Sequence, residues 1–349
     1  MSEPLIDQVS VLDRSDLAGP GDDPHVIVVH AGGTTGWYGP VGHSVRTVIQ
    51  HGLASLALGS PVTDHDGLVA RLREGLRQST EAAVSWAIGA LDCAVWDLHG
   101  RIADQPVAAL LSSSAVPRPV RAYASWLGLD VADSSEVNRM RRVAEQDWLF
   151  TKWSLRRDPR LDTDDDAERM AGIVRRIRKD LGSPAAFDAL WGWDDALTSS
   201  FAERVDPTWM VWLEEPLEAY ELERYEALGS CPPLALGERL RIGGDPRPLL
   251  RHPHLVALTL DVVGCGGLTL AVELLREATT AGVQVFPHGR SLVPAVHLAA
   301  AFPGSVTGVE YQVQWEPRRR RLFATHVTCD NGRLRVPDSS GLGIVARRR

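Results

Sequence analysis

Three carboxylates stand at regular intervals along the chain, each at the end of an apolar run. Asp188 occurs in SPAAFDAL, Glu214 in VWLEEP and Glu238 in ALGERL, 26 and 24 residues apart. This interval fits one strand plus one helix, so the three side chains are predicted to end neighbouring parallel strands. Convergent carboxylates repel one another unless a cation lies between them. Oxygen ligands without His or Cys favour Mg²⁺ over Zn²⁺. A single such carboxylate would more often be a helix cap, and it is the repeat that predicts a metal site.

A candidate pair for proton transfer follows at the same interval. Asp261 occurs in ALTLDVV and His288 in VFPHG, 27 residues apart. An aspartate beside a histidine fixes the imidazole tautomer and raises its pKa, which suits a general base. Three further histidines, His252, His254 and His297, are predicted to be surface or core residues.

Two further charged residues follow apolar runs, and each has two interpretations. Lys152 in FTKWSL could be a base or could bind a substrate carboxylate, although most lysines are simply solvated. Glu310 in TGVEY could be an acid or an ordinary surface glutamate. The glycines in Gly264-Cys265-Gly266-Gly267 are predicted to let the chain turn closely into the next helix rather than to bind phosphate.

The segments around these residues predict a parallel barrel. From about residue 118, short β-type runs alternate with amphipathic stretches such as DDDAERMAGIVRRIRKDL. Seven or eight strand–helix units predict a closed barrel, whose working residues lie at the carboxyl ends of the strands. A Rossmann sheet is the alternative, but no G-x-G-x-x-G opens the first unit. Nearer the N-terminus, PHVIVVHAGGTTGWYGP predicts strand, turn and strand, and EAAVSWAIGALDCAVWDLHGR predicts a long helix that stops at Gly100.

Composition and charge disfavour several classes of protein, namely nucleic-acid-binding, membrane-spanning and secreted proteins. The chain has 349 residues and a net charge of −8, which disfavours binding to nucleic acid. It has no apolar stretch long enough for a membrane span, and its first residues do not resemble a secretory signal. Four cysteines without C-x-x-C spacing suit a reducing cytoplasm. The basic runs at 318–321 and 347–349 are expected to be solvated surface and a frayed end.

The motifs FDA, WLEEP, GER, D-x-x-x-x-GG and PHG, in that order, resemble the enolase superfamily, specifically its mandelate racemase-like branch. The stretch ALDCAVWDLHGRIADQPVAALL followed by VRAYAS resembles the junction between capping domain and barrel in that family. The resemblance covers nearly the whole chain. It implies a (β/α)7β TIM-like barrel with an α+β capping domain.

The resemblance also implies roles for the candidate residues. Asp188, Glu214 and Glu238 would hold Mg²⁺, Asp261 and His288 would form the catalytic dyad, and Glu310 would match the family's acidic residue near the end of the barrel. Residues 1–117 would form the capping domain, with a mobile specificity loop at Gly36-Trp37-Tyr38-Gly39-Pro40 and His43. Residues 118–322 would form the barrel, and residues 323–349 would return to the cap.

The chain departs from the racemase pattern at its second barrel strand. Lys152-Trp153-Ser154 stands where that pattern has Lys-x-Lys, so the second lysine, a base for the opposite face of the substrate, is missing. The Lys-Trp pair and FDALWGWD resemble sugar-acid dehydratases such as L-rhamnonate dehydratase, although Arg239-Leu240-Arg241 differs from that subgroup.

These features predict a hydro-lyase. It would remove the α-proton of an aldonic or aldaric acid and eliminate the β-hydroxyl to give a 2-keto-3-deoxy acid. Two alternatives stay open: a racemase or epimerase of an α-substituted carboxylic acid, and a barrel that binds sugar acids without turnover. We expect a cytoplasmic homo-oligomer whose partner is a small carboxylate, with no nucleic-acid or membrane partner.

Overall fold

The computed structural model describes residues 3–77, 82–112, 118–217, 222–228 and 231–347. The N-terminal part is an antiparallel sheet in the order β1–β2–β3, covered by helices. Its strands are β1 (Gln8–Asp13), β2 (His25–Ala31) and β3 (Thr34–Val41). Its helices are α1 (His43–Val48), α2 (Ala54–Ala57), α3 (His65–Gly75), α4 (Ala82–Ile102) and α5 (Val107–Leu111), with a π-helical turn at Ile49–Leu53.

Two expectations for this part are wrong. Residues 36–40, expected to form a mobile loop, lie in β3, which pairs with β2 and packs on α4. Gly36 allows this contact, because a Cβ there would lie 2.5 Å from the carbonyl oxygen of Ala94. Gly100 does not stop the helix either, since α4 continues to Ile102 and Gly100 packs closely against Gly341.

Within the described residues, eight parallel strands form the barrel. Their bounds are β4 (Val120–Ser125), β5 (Thr151–Ser154), β6 (Ala185–Asp188), β7 (Met210–Glu214), β8 (Leu234–Leu236), β9 (Leu255–Leu258), β10 (Gln284–Val285) and β11 (Val309–Gln312). The strands β4 to β10 pair in sequence order, and β11 pairs with β4. A parallel bridge between Val285 and Val306 connects β10 to the chain entering β11, so the barrel is closed.

Seven helices of the described chain alternate with these strands, which confirms the predicted (β/α)7β architecture. They are α6 (Val137–Ala144), α7 (Thr163–Leu181), α8 (Asp195–Arg204), α9 (Leu222–Ala227), α10 (Arg247–Leu250), α11 (Leu268–Ala281) and α12 (Leu292–Ala301). The longest, α7, shows how local sequence sets an element's bounds. The Asp162 side chain caps its N-terminus by accepting from the Asp165 amide, and Gly182 ends it in the left-handed conformation.

After β11, one strand of the chain pairs with β4 of the barrel, and the residues that follow it contact the capping domain. The residues after β11 contain α13 (Glu316–Arg319), β12 (Phe323–Thr325), β13 (Thr328–Asp330), β14 (Arg333–Arg335) and β15 (Val345–Ala346). The buried Asp97 carboxylate on α4 accepts hydrogen bonds from the Leu342 amide at 2.6 Å and the Trp37 amide at 2.8 Å. Asp97 therefore joins α4 to the C-terminal segment and to β3.

The division into residues 1–117, 118–322 and 323–349 stays a proposal, and within the last segment β14 pairs with β4 of the barrel. The first boundary falls in residues 113–117, outside the described chain, as do Arg348 and Arg349 of the terminal basic run. No helix in the described ranges combines the length and the apolar character needed to span a membrane.

Candidate active site

Two of the predicted metal ligands meet a buried lysine at the carboxyl ends of the strands. Asp188 and Glu214 are paired in register at the ends of β6 and β7. The Lys152 ammonium, within β5, lies 2.7 Å from Glu214 Oε1, 3.4 Å from Asp188 Oδ2 and 3.1 Å from Glu310 Oε1. All four side chains are buried. The structure therefore brings together four residues that the sequence singled out.

Glu238 lies beside this group, two residues beyond β8. The buried Glu215 carboxylate accepts from the backbone amides of Gly237 at 2.8 Å and Glu238 at 3.2 Å. Gly237 has φ = +123°, a conformation that a side chain would strain. These two features fix the turn that presents Glu238, whose Oε1 lies 3.7 Å from His288 Nε2.

The chemistry of the donor set fits a hard divalent cation. Asp188, Glu214 and Glu310 bring three carboxyl groups around the single ammonium of Lys152, and Glu238 lies next to them beside His288. All the candidate ligand atoms are oxygens, which Mg²⁺ prefers. In the present arrangement Glu238 faces His288 while the other three face the lysine. Accordingly, no group of three or more His, Cys, Asp or Glu side chains in the described chain is already arranged around a metal position. The ligand set stays a prediction.

Asp261 and His288 lie within hydrogen-bonding distance, as their spacing predicted. Asp261 Oδ2 is 3.1 Å from His288 Nδ1. Asp261 Oδ1 accepts from the backbone amides of Val263 at 3.0 Å and Gly264 at 2.7 Å, and from the Ser291 hydroxyl at 2.6 Å. The carboxylate is thereby held in one orientation, and it orients the imidazole with Nε2 away from it.

The free side of the imidazole faces polar groups. His288 Nε2 is 3.4 Å from Glu310 Oε2 and 3.3 Å from the side-chain amide of Gln312. Glu310 Oε2 also accepts from the Gly289 amide at 2.7 Å. Because its other oxygen contacts Lys152, Glu310 links the lysine to the histidine. It is buried, so its interpretation as a surface glutamate is wrong.

Charge and burial shift the protonation of the cluster in opposing ways. Burial raises the pKa of Glu214 to about 8, although the Lys152 ammonium acts against it. Burial alone would lower the pKa of Lys152, but Glu214 and Glu310 raise it well above its usual value. The lysine is therefore a cation in this arrangement, which suits attraction of a substrate carboxylate better than removal of a proton.

The histidine is also held as a cation here. Burial would lower its pKa, but the carboxylates of Glu238, Glu310 and Asp261 raise the pKa of His288 to about 10. Burial would raise the pKa of Glu310, but Lys152 and His288 bring it down to about 2. Burial likewise opposes the ionised form of Asp261, and the hydrogen bond and charge of His288 outweigh it, lowering the pKa of Asp261.

One residue that the sequence analysis missed, Trp212, contacts Glu214 from the interior of the barrel. Trp212 fills the barrel interior with other aromatic side chains, and its indole N–H donates to Glu214 Oε2 at 3.0 Å. The two oxygens of Glu214 thus have separate donors, Trp212 and Lys152. Side chains alternate along a strand, so the position two residues before Glu214 was a signal that could have found Trp212.

Sequence reasoning also missed the outer part of the site. A cavity of about 340 Å³ reaches Glu238 and His288 and is lined on its other side by Asp22 and Asp23, from the segment between β1 and β2. The run 318–321, expected to be solvated surface, contributes Arg318 and Arg319 to the same cavity. The sequence marked residues 318–321 only as a basic run, and it did not mark Asp22 or Asp23.

Comparison with known proteins agrees with this architecture. Residues 136–349 match the family model described as enolase C-terminal domain-like. Residues 26–112 match the mandelate racemase/muconate lactonizing enzyme N-terminal domain. The chain belongs to the mandelate racemase-like branch of the enolase superfamily.

Members of this superfamily with curated names are similar over most of the chain. An arabinonate dehydratase of Saccharolobus solfataricus is 25% identical, with 80% of this chain and 73% of that protein covered. An L-rhamnonate dehydratase of Saccharopolyspora erythraea is 26% identical, with 88% and 80% covered. A mandelate racemase/muconate lactonizing protein of Paracoccus denitrificans, solved in complex with magnesium, has a TM-score of 0.83 and 24% identity, with 99% and 96% covered. The last comparison concerns the fold.

Proposed function

We propose that this superfamily member is a Mg²⁺-dependent sugar-acid dehydratase, a hydro-lyase, in which His288 performs proton transfer on one face of the substrate. The observation that carries the proposal is the one-sided arrangement of the site. His288 is oriented by Asp261, whereas the Ser154 hydroxyl, at the position of the second base, donates to the backbone carbonyl of Leu127 at 3.0 Å. The names of the relatives, which include several sugar-acid dehydratases, support the substrate class.

Asp188, Glu214 and Glu238 would hold the metal. When bound, Mg²⁺ supplies the positive charge that makes an α-proton acidic enough to remove. The Lys152 ammonium attracts the substrate carboxylate and adds to that charge. Glu310 holds Lys152 and His288 at a fixed separation, through contacts of 3.1 and 3.4 Å.

The imidazole of His288 then serves twice. Its Nε2 takes the α-proton as a base when neutral, and the electron pair of the C–H bond moves into the substrate's carboxylate to form an enediolate. The resulting imidazolium returns the proton to the β-hydroxyl as the C–O bond breaks, so water leaves and an enol remains. The enol becomes the 2-keto-3-deoxy acid. One base therefore completes the reaction without a second lysine.

Stereochemistry tests this proposal directly. In D₂O, the enzyme should eliminate water from, or exchange deuterium into, a single α-configuration of its substrate, and ¹H NMR should detect no α-epimer. The physical reason is that a serine hydroxyl tied to a carbonyl cannot accept a proton near neutral pH. Formation of both epimers at comparable rates would contradict the proposal. Lys152 would then be the second base, and Lys152→Ala should stop epimer formation.

Trp212 is predicted to position Glu214 for the metal. Trp212→Phe removes the indole donor at 3.0 Å but keeps an aromatic ring among Tyr123, Phe150 and Phe286. Because partners of metal ligands tune their orientation, Mg²⁺ affinity should fall roughly 10- to 100-fold. Isothermal titration calorimetry with Mg²⁺ measures this, and circular dichroism checks the fold.

Trp209→Phe is the matched control, since this tryptophan is only partly buried and packs against the core before β7. Its Mg²⁺ affinity should equal that of the wild type. If Trp212→Phe binds Mg²⁺ as tightly as the wild type, Trp212 does not position Glu214 for the metal.

A further inference from the structure

The far side of the active-site cavity is formed by ion pairs. Arg318 Nε is 2.7 Å from Asp22 Oδ1, and a guanidinium nitrogen of Arg290 is 3.2 Å from Asp23 Oδ2. Arg319 is 2.8 Å from Glu316 Oε1. Each arginine that lines the cavity in the described chain is thus matched by one carboxylate. The positive charge at this end is balanced.

Further contacts hold the arginines and aspartates in these pairs. Arg318 also donates to the Pro20 carbonyl at 2.8 Å and lies over the ring of Trp315. The second oxygen of Asp22 accepts from the Gly19 amide at 2.7 Å, and the Asp22 side chain is only 8% exposed. The pair is therefore partly desolvated and fixed at both ends, unlike a flexible surface ion pair.

Balanced pairs suit one kind of substrate tail. A hydroxyl group can donate to an aspartate oxygen and accept from a guanidinium N–H, so a polyol chain can lie along the rim without disturbing it. A second carboxylate finds no unmatched arginine and faces Asp22 and Asp23. Even where it accepts from a guanidinium N–H, it adds an uncompensated negative charge next to Asp22, whose side chain is only 8% exposed.

We infer that the enzyme acts on aldonic acids, whose distal end is a neutral polyol, and discriminates against aldaric acids, and that Asp22 with Arg318 sets this preference. The inference rests on the proposed function, because it assigns the reacting carboxylate to the end of the cavity near Glu238 and His288. It also gives the segment between β1 and β2 a direct part in specificity.

The experiment compares matched acids that differ only in the terminal group: galactonate with galactarate, gluconate with glucarate, and xylonate with xylarate. Formation of 2-keto-3-deoxy product gives kcat/KM for each. For any pair that is turned over, the aldonate should be preferred by roughly tenfold or more, because its tail meets no like charge. A preference for the aldarate would overturn the inference and leave the proposed function standing.

Two variants distinguish an effect of the charge of the Asp22–Arg318 pair from an effect of its structural role. Asp22→Asn leaves Arg318 unmatched and should shift the preference toward the aldarate by roughly tenfold. Arg318→Gln leaves Asp22 unmatched and should shift it further toward the aldonate. A loss of loop structure would lower the rates with both acids and move the ratio the same way in both variants, an outcome that would overturn the assignment. Asp245→Asn, which removes half of an exposed Asp–Arg pair away from the cavity, should leave the ratio unchanged.

Absence of turnover with every acid would count against the proposed function. The substrate preference is then tested by binding instead of turnover. Calorimetric dissociation constants in the presence of Mg²⁺ should still favour each aldonate over its aldarate, and Asp22→Asn should still reduce that preference. Equal or tighter binding of the aldarates would reject the inference separately.

Discussion

His288→Asn is expected to abolish both α-proton exchange and elimination, with kcat/KM reduced by about 10⁴-fold or more. The loss is large because one imidazole serves as base and then as acid, and asparagine can do neither. Asparagine can still donate to Asp261, whose other oxygen keeps its bonds to Val263, Gly264 and Ser291. The local structure should therefore survive. Steady-state kinetics and NMR exchange in D₂O measure the two steps separately.

The control replaces an exposed imidazole in the same way. His51→Asn changes a side chain in the π-helical turn of the capping domain and should retain full activity. Exchange of the α-proton by His288→Asn at a rate near that of the wild type would show that another group is the base, and the dyad assignment would fail.

Glu214→Gln is the second change with a large expected effect, lowering kcat/KM by roughly 10³-fold. A Lewis acid contributes several kcal/mol to such a reaction, and each factor of ten corresponds to about 1.4 kcal/mol. The variant removes the carboxyl group that would bind the metal and replaces one acceptor oxygen with a donor next to Lys152 or Trp212. Mg²⁺ titration should show greatly weakened binding, while circular dichroism remains unchanged.

Chelation tests the same site without a mutation. Wild-type protein treated with EDTA should lose activity and regain it on addition of Mg²⁺. Glu273→Gln, an exposed glutamate on α11, serves as the control for removal of one carboxylate. Full turnover by protein whose metal content is shown to be nil would reject the metal assignment.

Local sequence patterns predicted most of the fold. Strand and helix periodicities, caps such as Asp162 and glycines such as Gly267 act over a few residues, so the sequence displays them directly. Gly267 lies immediately before α11 at φ = +107°, a backbone conformation that favours glycine, in agreement with the predicted close turn. The prediction at Gly100 was wrong for the opposite reason, because this glycine contacts the distant Gly341 instead of ending the helix, and no local pattern shows that contact.

The sequence predicted which site residues lie close together when those residues stand at the ends of strands of the barrel. Parallel strands bring their carboxyl ends to one face, so Asp188, Glu214, Asp261 and His288 had to lie near one another once the barrel was inferred. Their detailed partners were not predictable from that rule. Side-chain directions decided that Lys152 sits among three carboxylates and that Glu238 faces His288.

By itself, the sequence determined the class of fold and the residues that face the barrel mouth, because both follow from short-range periodicity and regular spacing. The tertiary structure alone decided what lies across the cavity from them. Arg318 and Pro20, 298 positions apart, meet only because the capping domain folds over the barrel. An ion pair such as Asp22–Arg318 depends on that packing and on the low exposure it creates, and neither residue carries a local signal of its partner.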